Sequence, residues 1–204
     1  FMKNLIKKFP QTVAVLAAIA AIFLFFGSRE RTVQPSQKAS SAGGTDLNGQ
    51  WSLKFWPQPD TGALRTLGGA KTAQGAKTIK AQVPGNVELD LFKAGLVPNP
   101  ELGDNSYKLR EYEGYQWLFS REFTSPNLGS GERAILRLDG VDTFADIFIN
   151  GKKVGETSNM LIPHTFDITD FLSKGGKNNL DILIRSAIME SNGRKIGAIS
   201  SAYD

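Results

Sequence analysis

Cysteine is absent from the 204 residues. Its absence excludes a disulfide framework, a thiolate zinc site and a cysteine nucleophile, and removes the acceptor that a bacterial lipoprotein anchor needs. Histidine occurs once, as His164. One imidazole builds no metal site, and beside Pro163 at a strand edge it reads as structural. Asp139, Asp142 and Asp146 lack the spacing of a calcium loop, and their strand-turn-strand setting points to solvated or turn-capping roles. No metal or other cofactor is expected. The folding part also lacks an excess of one charge sign. Net charge is formally +4, but residues 1–40 hold six basic side chains (Lys3, Lys7, Lys8, Arg29, Arg31, Lys38) against Glu30 alone. That leaves 18 basic and 19 acidic residues in 41–204, so no nucleic-acid footprint is expected on the domain. Without disulfides the fold must rest on its own core, and about 160 residues are enough for one.

One long apolar run is present, TVAVLAAIAAIFLFFG from Thr12 to Gly27, behind Lys3, Lys7 and Lys8. A basic stretch followed by an apolar segment of this length is the pattern of a secretory signal or a short membrane anchor. No small-x-small site follows it, which favours an uncleaved signal-anchor helix. Residues 28–48 are polar and rich in Ser, Gly and Ala, the composition of a flexible tether. The expected organisation is therefore a leader over 1–27, a linker over 28–48 and one domain over 49–204. The expected location is outside the cytoplasm, periplasmic or extracellular, with membrane attachment through residues 12–27.

Within the domain, alternation places strands at Trp51–Trp56, Lys77–Val83, Tyr115–Phe123, Arg133–Asp139, Thr143–Ile149, Lys152–Thr157, His164–Ile168 and Asn179–Arg185. Residues 57–76, with two prolines and four glycines, read as a loop. Asn86 is placed to cap a short helix carrying Glu88 and Asp90 in its first turn, and Gly95 and Pro98 stop it. Asn150-Gly151 is a hairpin signal, because a type I′ turn needs positive φ at both central residues. Asp170-Phe171-Leu172 reads as one helical turn. Short strands at this spacing with one small helix argue an all-β, antiparallel β-sandwich.

Several of these stretches together resemble the N-terminal sugar-binding domain of glycoside hydrolase family 2. They are Val83-Pro84-Gly85-Asn86-Val87-Glu88-Leu89-Asp90-Leu91, Gly95-Leu96-Val97-Pro98-Asn99-Pro100, Gly103-Asp104-Asn105, Trp117 with Arg121-Glu122-Phe123, and the run from Leu138 to Gly151. Phe166-Asp167-Ile168-Thr169 and Asn179-Leu180-Asp181-Ile182 continue the likeness, which covers about residues 49–190. The helix-containing insertion is closer to the β-mannosidase-like branch than to the β-galactosidase or β-glucuronidase branch. The resemblance implies a jelly-roll-like (galactose-binding-domain-like) sandwich standing before an immunoglobulin-like domain and a (β/α)8 barrel. In that family the catalytic glutamates come from the barrel, and the chain reaches Asp204 before either appears, as in a C-terminally truncated fragment. Retaining cleavage needs two carboxyls about 5 Å apart across the scissile bond; no Glu here stands in a barrel-strand context, so none is assigned as catalytic.

The family's first domain also lends residues to the rim of the sugar pocket, which makes three side chains candidates for substrate contact. Asn105 has an amide that both donates and accepts, as a sugar hydroxyl does; the alternative is an Asx-type turn after Pro100. Asp204 sits where family members carry an acidic residue reaching the non-reducing sugar, although Ala202-Tyr203-Asp204 departs from the Trp-Asp form. Trp117 could stack on a sugar face, whereas its alternation within a strand favours core packing. The implied function is that of an accessory, sugar-binding domain of an exported retaining exo-β-glycosidase, β-mannosidase- or β-galactosidase-like. It would act on a β-linked glycan only together with the missing domains. The alternative is a stand-alone, membrane-tethered carbohydrate-binding module.

Overall fold

A computed structural model of the chain describes residues 44–59 and 66–192, together with the backbone of 8–9 and 12–17. Two sheets face each other. The larger has six strands in the order β4-β3-β5-β10-β7-β8, where β3 is Gly49–Pro57, β4 Lys77–Val83, β5 Tyr115–Thr124, β7 Phe144–Ile149, β8 Lys152–Thr157 and β10 Lys177–Arg185. The smaller has the order β1-β2-β6-β9, with β1 Lys8–Phe9, β2 Thr12–Ala17, β6 Ala134–Leu138 and β9 His164–Asp167. All described pairings are antiparallel except that of β2 with β6. This is the expected all-β sandwich. Of the segment expected as a leader helix, residues 12–17 lie in β2, and residues 18–27 fall outside the described residues. Among the described residues no helix is long and apolar enough to cross a membrane.

The period-two pattern of the sequence becomes the main core. Trp51, Leu53, Phe55, Trp117, Phe119, Ala145, Ile147, Ile149, Leu180, Ile182 and Ile184 point inward from the large sheet and meet Ala134, Leu136 and Leu138 of β6. Leu47 joins this core, its carbonyl accepting from Trp51 Nε1 at 2.9 Å and from Arg121 Nη1 at 3.0 Å. The packed domain thus begins before residue 49, inside the stretch expected as linker. At the β7–β8 hairpin, Asn150 and Gly151 have φ of 51° and 80°, the two positive values of a type I′ turn. Asn150 does more than turn the chain. Its Nδ2 donates to Phe171 O and Asn178 Oδ1, and its Oδ1 accepts from Asn179 N, tying the hairpin to β10.

The outer face of the large sheet differs from expectation. The loop read over 57–76 contains a helix, α1 (Leu67–Thr72), capped by Thr66 Oγ1 accepting from Gly69 N at 3.1 Å. Two glycines in six residues give it no intrinsic stability; packing supplies it. Leu67, Ala70 and Ala73 cover Trp56, Leu118, Phe148 and Leu183 in a second core. Polar anchors reinforce it: Lys71 Nζ reaches the buried Asp181 at 2.9 Å, and Lys54 Nζ donates to Lys71 O at 2.6 Å. The solvated role read for Asp146 is likewise corrected. On this covered face it is 7% exposed and paired with Arg185 and Lys153, since a buried carboxylate needs ionic partners.

At the β4 edge, α2 (Val87–Lys93) is capped by Asn86 Oδ1, which accepts from Leu89 N at 2.9 Å. Asp90 of this helix is buried, and both its oxygens accept from Gln82 N of β4 at 3.2 Å. Burial raises its pKa above the usual carboxylate value, against the lowering effects of the Gln82 hydrogen bond and Lys93. A carboxylate whose folded pKa exceeds its unfolded one takes up its proton more readily in the native state, so its ionised form costs stability above the folded pKa. Asp90→Asn keeps an acceptor for Gln82 N and removes the charge. Urea midpoints should show this variant more stable than the parent at pH 7, with the difference shrinking as pH falls toward 4. A difference independent of pH would show that Asp90 carries no such charge penalty.

Candidate functional site

A cavity of about 490 Å3 opens on the inner face of the large sheet, at the end where β5 begins and β10 finishes. Its floor is apolar: Trp117 and Phe119 of β5, Ile184 of β10, Leu91 of α2, and Leu109. Leu109 belongs to a polar 3₁₀ segment, Gly103–Tyr112, and packs against the main core. Polar residues also line the cavity: Asn86 and Glu88 from the start of α2, Glu113 (paired with Arg110) after the 3₁₀ segment, Asp142 from the β6–β7 connection, and Arg185 and Ser186 at the end of β10. Each wall follows from local chemistry. Asn86 fixes where α2 starts, Gly95 at φ 72° ends it, and the β10 end is fastened by hydrogen bonds.

Those bonds form a network around Ser186. Its N–H donates to Gln58 Oε1 at 2.7 Å and its hydroxyl to Glu113 O at 2.6 Å. Gln58 Nε2 donates to Glu190 Oε1 at 3.1 Å, and Arg185 pairs with Asp146 and, at 3.5 Å, with Glu190. The following helix, α3 (Ala187–Asn192), thus leaves the sheet in a defined direction. On the floor side, Phe55 and Trp117 stack at 5.2 Å and 27°, and Tyr112 and Tyr115 lie 5.0 Å apart. Partial burial, then neighbouring Glu111, raises the Tyr112 pKa above its ordinary value, so its hydroxyl stays neutral at physiological pH. The cavity therefore combines an apolar floor with acidic side chains and the Arg185 guanidinium. Among the described residues no group of three or more Asp, Glu or His could hold a metal ion.

Of the three candidates from sequence, the structure brings one to this cavity. Trp117 is in the floor, 8% exposed and stacked on Phe55. Asn105 lies in the 3₁₀ segment outside the cavity lining. Its Nδ2 donates to Asn99 O at 3.0 Å and its Oδ1 accepts from Lys108 Nζ at 3.2 Å. Asp204 is outside the described residues. Sequence reasoning missed Tyr112, Glu113, Asp142 and Arg185 as partners of Trp117. The one available signal was the spacing of Tyr112, Tyr115 and Trp117, three aromatics in six residues. His164, expected to be structural, donates from Nε2 to Asn159 O at 2.7 Å.

Comparison with known proteins bears on the whole domain. The family profile described as glycosyl hydrolase 2 galactose-binding domain-like matches residues 69–197. A β-mannosidase B of Thermothelomyces thermophilus is 38% identical over 109 residues, 53% of this chain and 13% of that protein. A β-mannosidase of Mus musculus is 36% identical over 115 residues, 56% of this chain and 13% of its own length. The crystal structure of a β-D-mannosidase from Dictyoglomus thermophilum superposes with a TM-score of 0.55 at 31% identity, over 74% of this chain and 17% of that one. The chain thus spans less than a fifth of the length of these relatives.

Proposed function

The chain belongs to the glycosyl hydrolase 2 galactose-binding domain-like family, and from that premise we propose that it is the accessory front domain of an exported retaining exo-β-glycosidase of β-mannosidase type. The carrying observation is that likeness to named β-mannosidases, in sequence and in fold, falls on one domain that is a small share of their length. Its role is to buttress the catalytic part and to help shape the sugar subsite, while the paired carboxylates of the reaction come from outside residues 1–204. Asn105, Asp204 and Trp117 are the proposed sugar contacts. Export to the periplasm or exterior is proposed from the basic residues and apolar run of the N-terminal segment, although residues 12–17 of that run pair with β6 in this structure.

Assay of the purified chain on aryl β-mannosides tests the division of labour. Release of aglycone should equal the rate without protein. Turnover that co-purifies with the chain through successive columns would overturn it.

A further inference from the structure

Strand β6 has one edge on β9 and the other on the N-terminal segment. Ala134 turns its backbone toward the β9 side: its N–H donates to Thr169 Oγ1 at 2.9 Å and its carbonyl accepts from Ile168 N at 2.8 Å. Backbone groups alternate sides along a strand, so those of Ile135 and Arg137 face the opposite edge. There β2 lies parallel to β6, in a register that runs from Val13 beside Ala134 to Ala17 beside Leu138. β1 joins the sheet only through β2. Without β2 the described part of this sheet is β6 and β9 alone, a two-stranded ribbon that is marginal by itself. Yet that ribbon holds Ala134, Leu136 and Leu138 over the main core. Residues 12–17 are also the first six of the sixteen-residue apolar run from Thr12 to Gly27. As a helix the whole run reaches about 24 Å, near the lower limit for a bilayer core of about 30 Å. The ten residues left when β2 is docked, 18–27, reach about 15 Å, half of that core. One segment cannot complete the sheet and span a membrane at once.

We propose, on the premise that the N-terminal run is a membrane segment, that the outer edge of β6 is a strand-accepting site which residues 12–17 occupy only while the chain is free of the membrane. The occupant it fits is an extended strand of five residues, the length of β6 and of its register with β2. Spanning the bilayer withdraws β2, and β1 with it. The backbone groups of Ile135 and Arg137 then stand open at an edge where another extended strand can add, as in β-strand augmentation.

Because the chain has no cysteine, an introduced pair reports this contact alone. Ala14 and Ile135 are register partners, and neighbouring strands lie about 4.8 Å apart, within the Cα range that a disulfide bridges. Ile135 is only partly buried, so Ile135→Cys spares the core. The full 204-residue chain carrying Ala14→Cys with Ile135→Cys is synthesised in a cell-free extract, with and without phosphatidylcholine–phosphatidylglycerol vesicles, and then oxidised. Without lipid it should crosslink at least about tenfold more than an Ala17→Cys with Ile135→Cys control, whose partners stand about 11 Å apart. Chain that resists alkaline extraction from the vesicles should crosslink no more than that control. Amide exchange in the parent chain is the companion measurement. Ile135 and Arg137 should be protected without lipid and lose that protection in the vesicle-bound chain, while Leu136 and Leu138 stay protected in both. Ile135 and Arg137 unprotected without lipid, or full crosslinking in the alkali-resistant fraction, overturns the proposal and leaves the membrane segment standing. An empty alkali-resistant fraction overturns both and makes β2 a permanent strand of the sandwich.

Discussion

Gly85→Ala should cost at least about 3 kcal/mol of unfolding free energy, at the upper end for a residue forced into occupied space. A Cβ on Gly85 would overlap the carbonyl oxygen of Gln82 and lie 3.2 Å from its carbonyl carbon. The obstacle is backbone, so no rotamer change relieves it. Nor can Gln82 step aside. Its N–H is held by both oxygens of the buried Asp90, and its Cα pairs in register with Gln50 of β3. Movement would have to break the β3–β4 edge or displace α2, and α2 forms one wall of the cavity. Gly95→Ala is the control. There a Cβ meets nothing within 4 Å, but φ is +72°, so the cost is the left-handed backbone alone, about 1 kcal/mol. Urea denaturation should show the Gly85 variant with a much lower midpoint at unchanged m. A Gly85 variant no less stable than the Gly95 one would show that the turn relaxes freely.

How far this architecture can be read from one dimension depends on which force sets each part. Where a local rule and burial agree, as at Lys77–Val83, at the Asn86 cap and at Asn150-Gly151, the expected elements match the structure closely. The inward faces follow for the same reason. The outer core does not. Leu118, Phe148 and Leu183 stand on the opposite side of their strands, and alternation alone cannot say that something covers that side. The covering piece, Leu67–Thr72, has the glycine content of a loop, and only contacts made long after it in sequence, such as Lys71 with Asp181, hold it as a helix. Asp146 was misread through the same gap. The cavity was legible through Trp117 alone, because its remaining walls come from four separate segments brought together by the sheet order. Asn105 shows the limit from the other side, since its amide chemistry suits a sugar hydroxyl and the structure uses that chemistry on Asn99 and Lys108.

The second large effect concerns the buried charge pair behind the cavity. Arg185→Met should destabilise the domain by about 3 kcal/mol or more, the cost of leaving a buried charge without its partner. Asp146 is 7% exposed and would keep only Lys153, whose Nζ lies 2.6 Å away and whose side chain is half in solvent. The change also removes the link from Arg185 to Glu190, leaving α3 attached through Gln58 and Ser186. Asp146→Leu with Arg185→Met takes both charges out of a site bordered by apolar side chains. There the desolvation cost disappears with the pair, so most of the lost stability should return. A double-mutant cycle in urea measures this coupling directly. The two losses adding without recovery would mean that Lys153 and Glu190 each compensate for a missing partner and that the pair is not a unit. Recovery of global stability accompanied by faster amide exchange in Ala187–Asn192 would separate two roles. The sheet would then need only that the site be filled, while the direction of α3 needs the charges, because a guanidinium that bonds Asp146 and Glu190 together sets an angle that aliphatic carbon cannot.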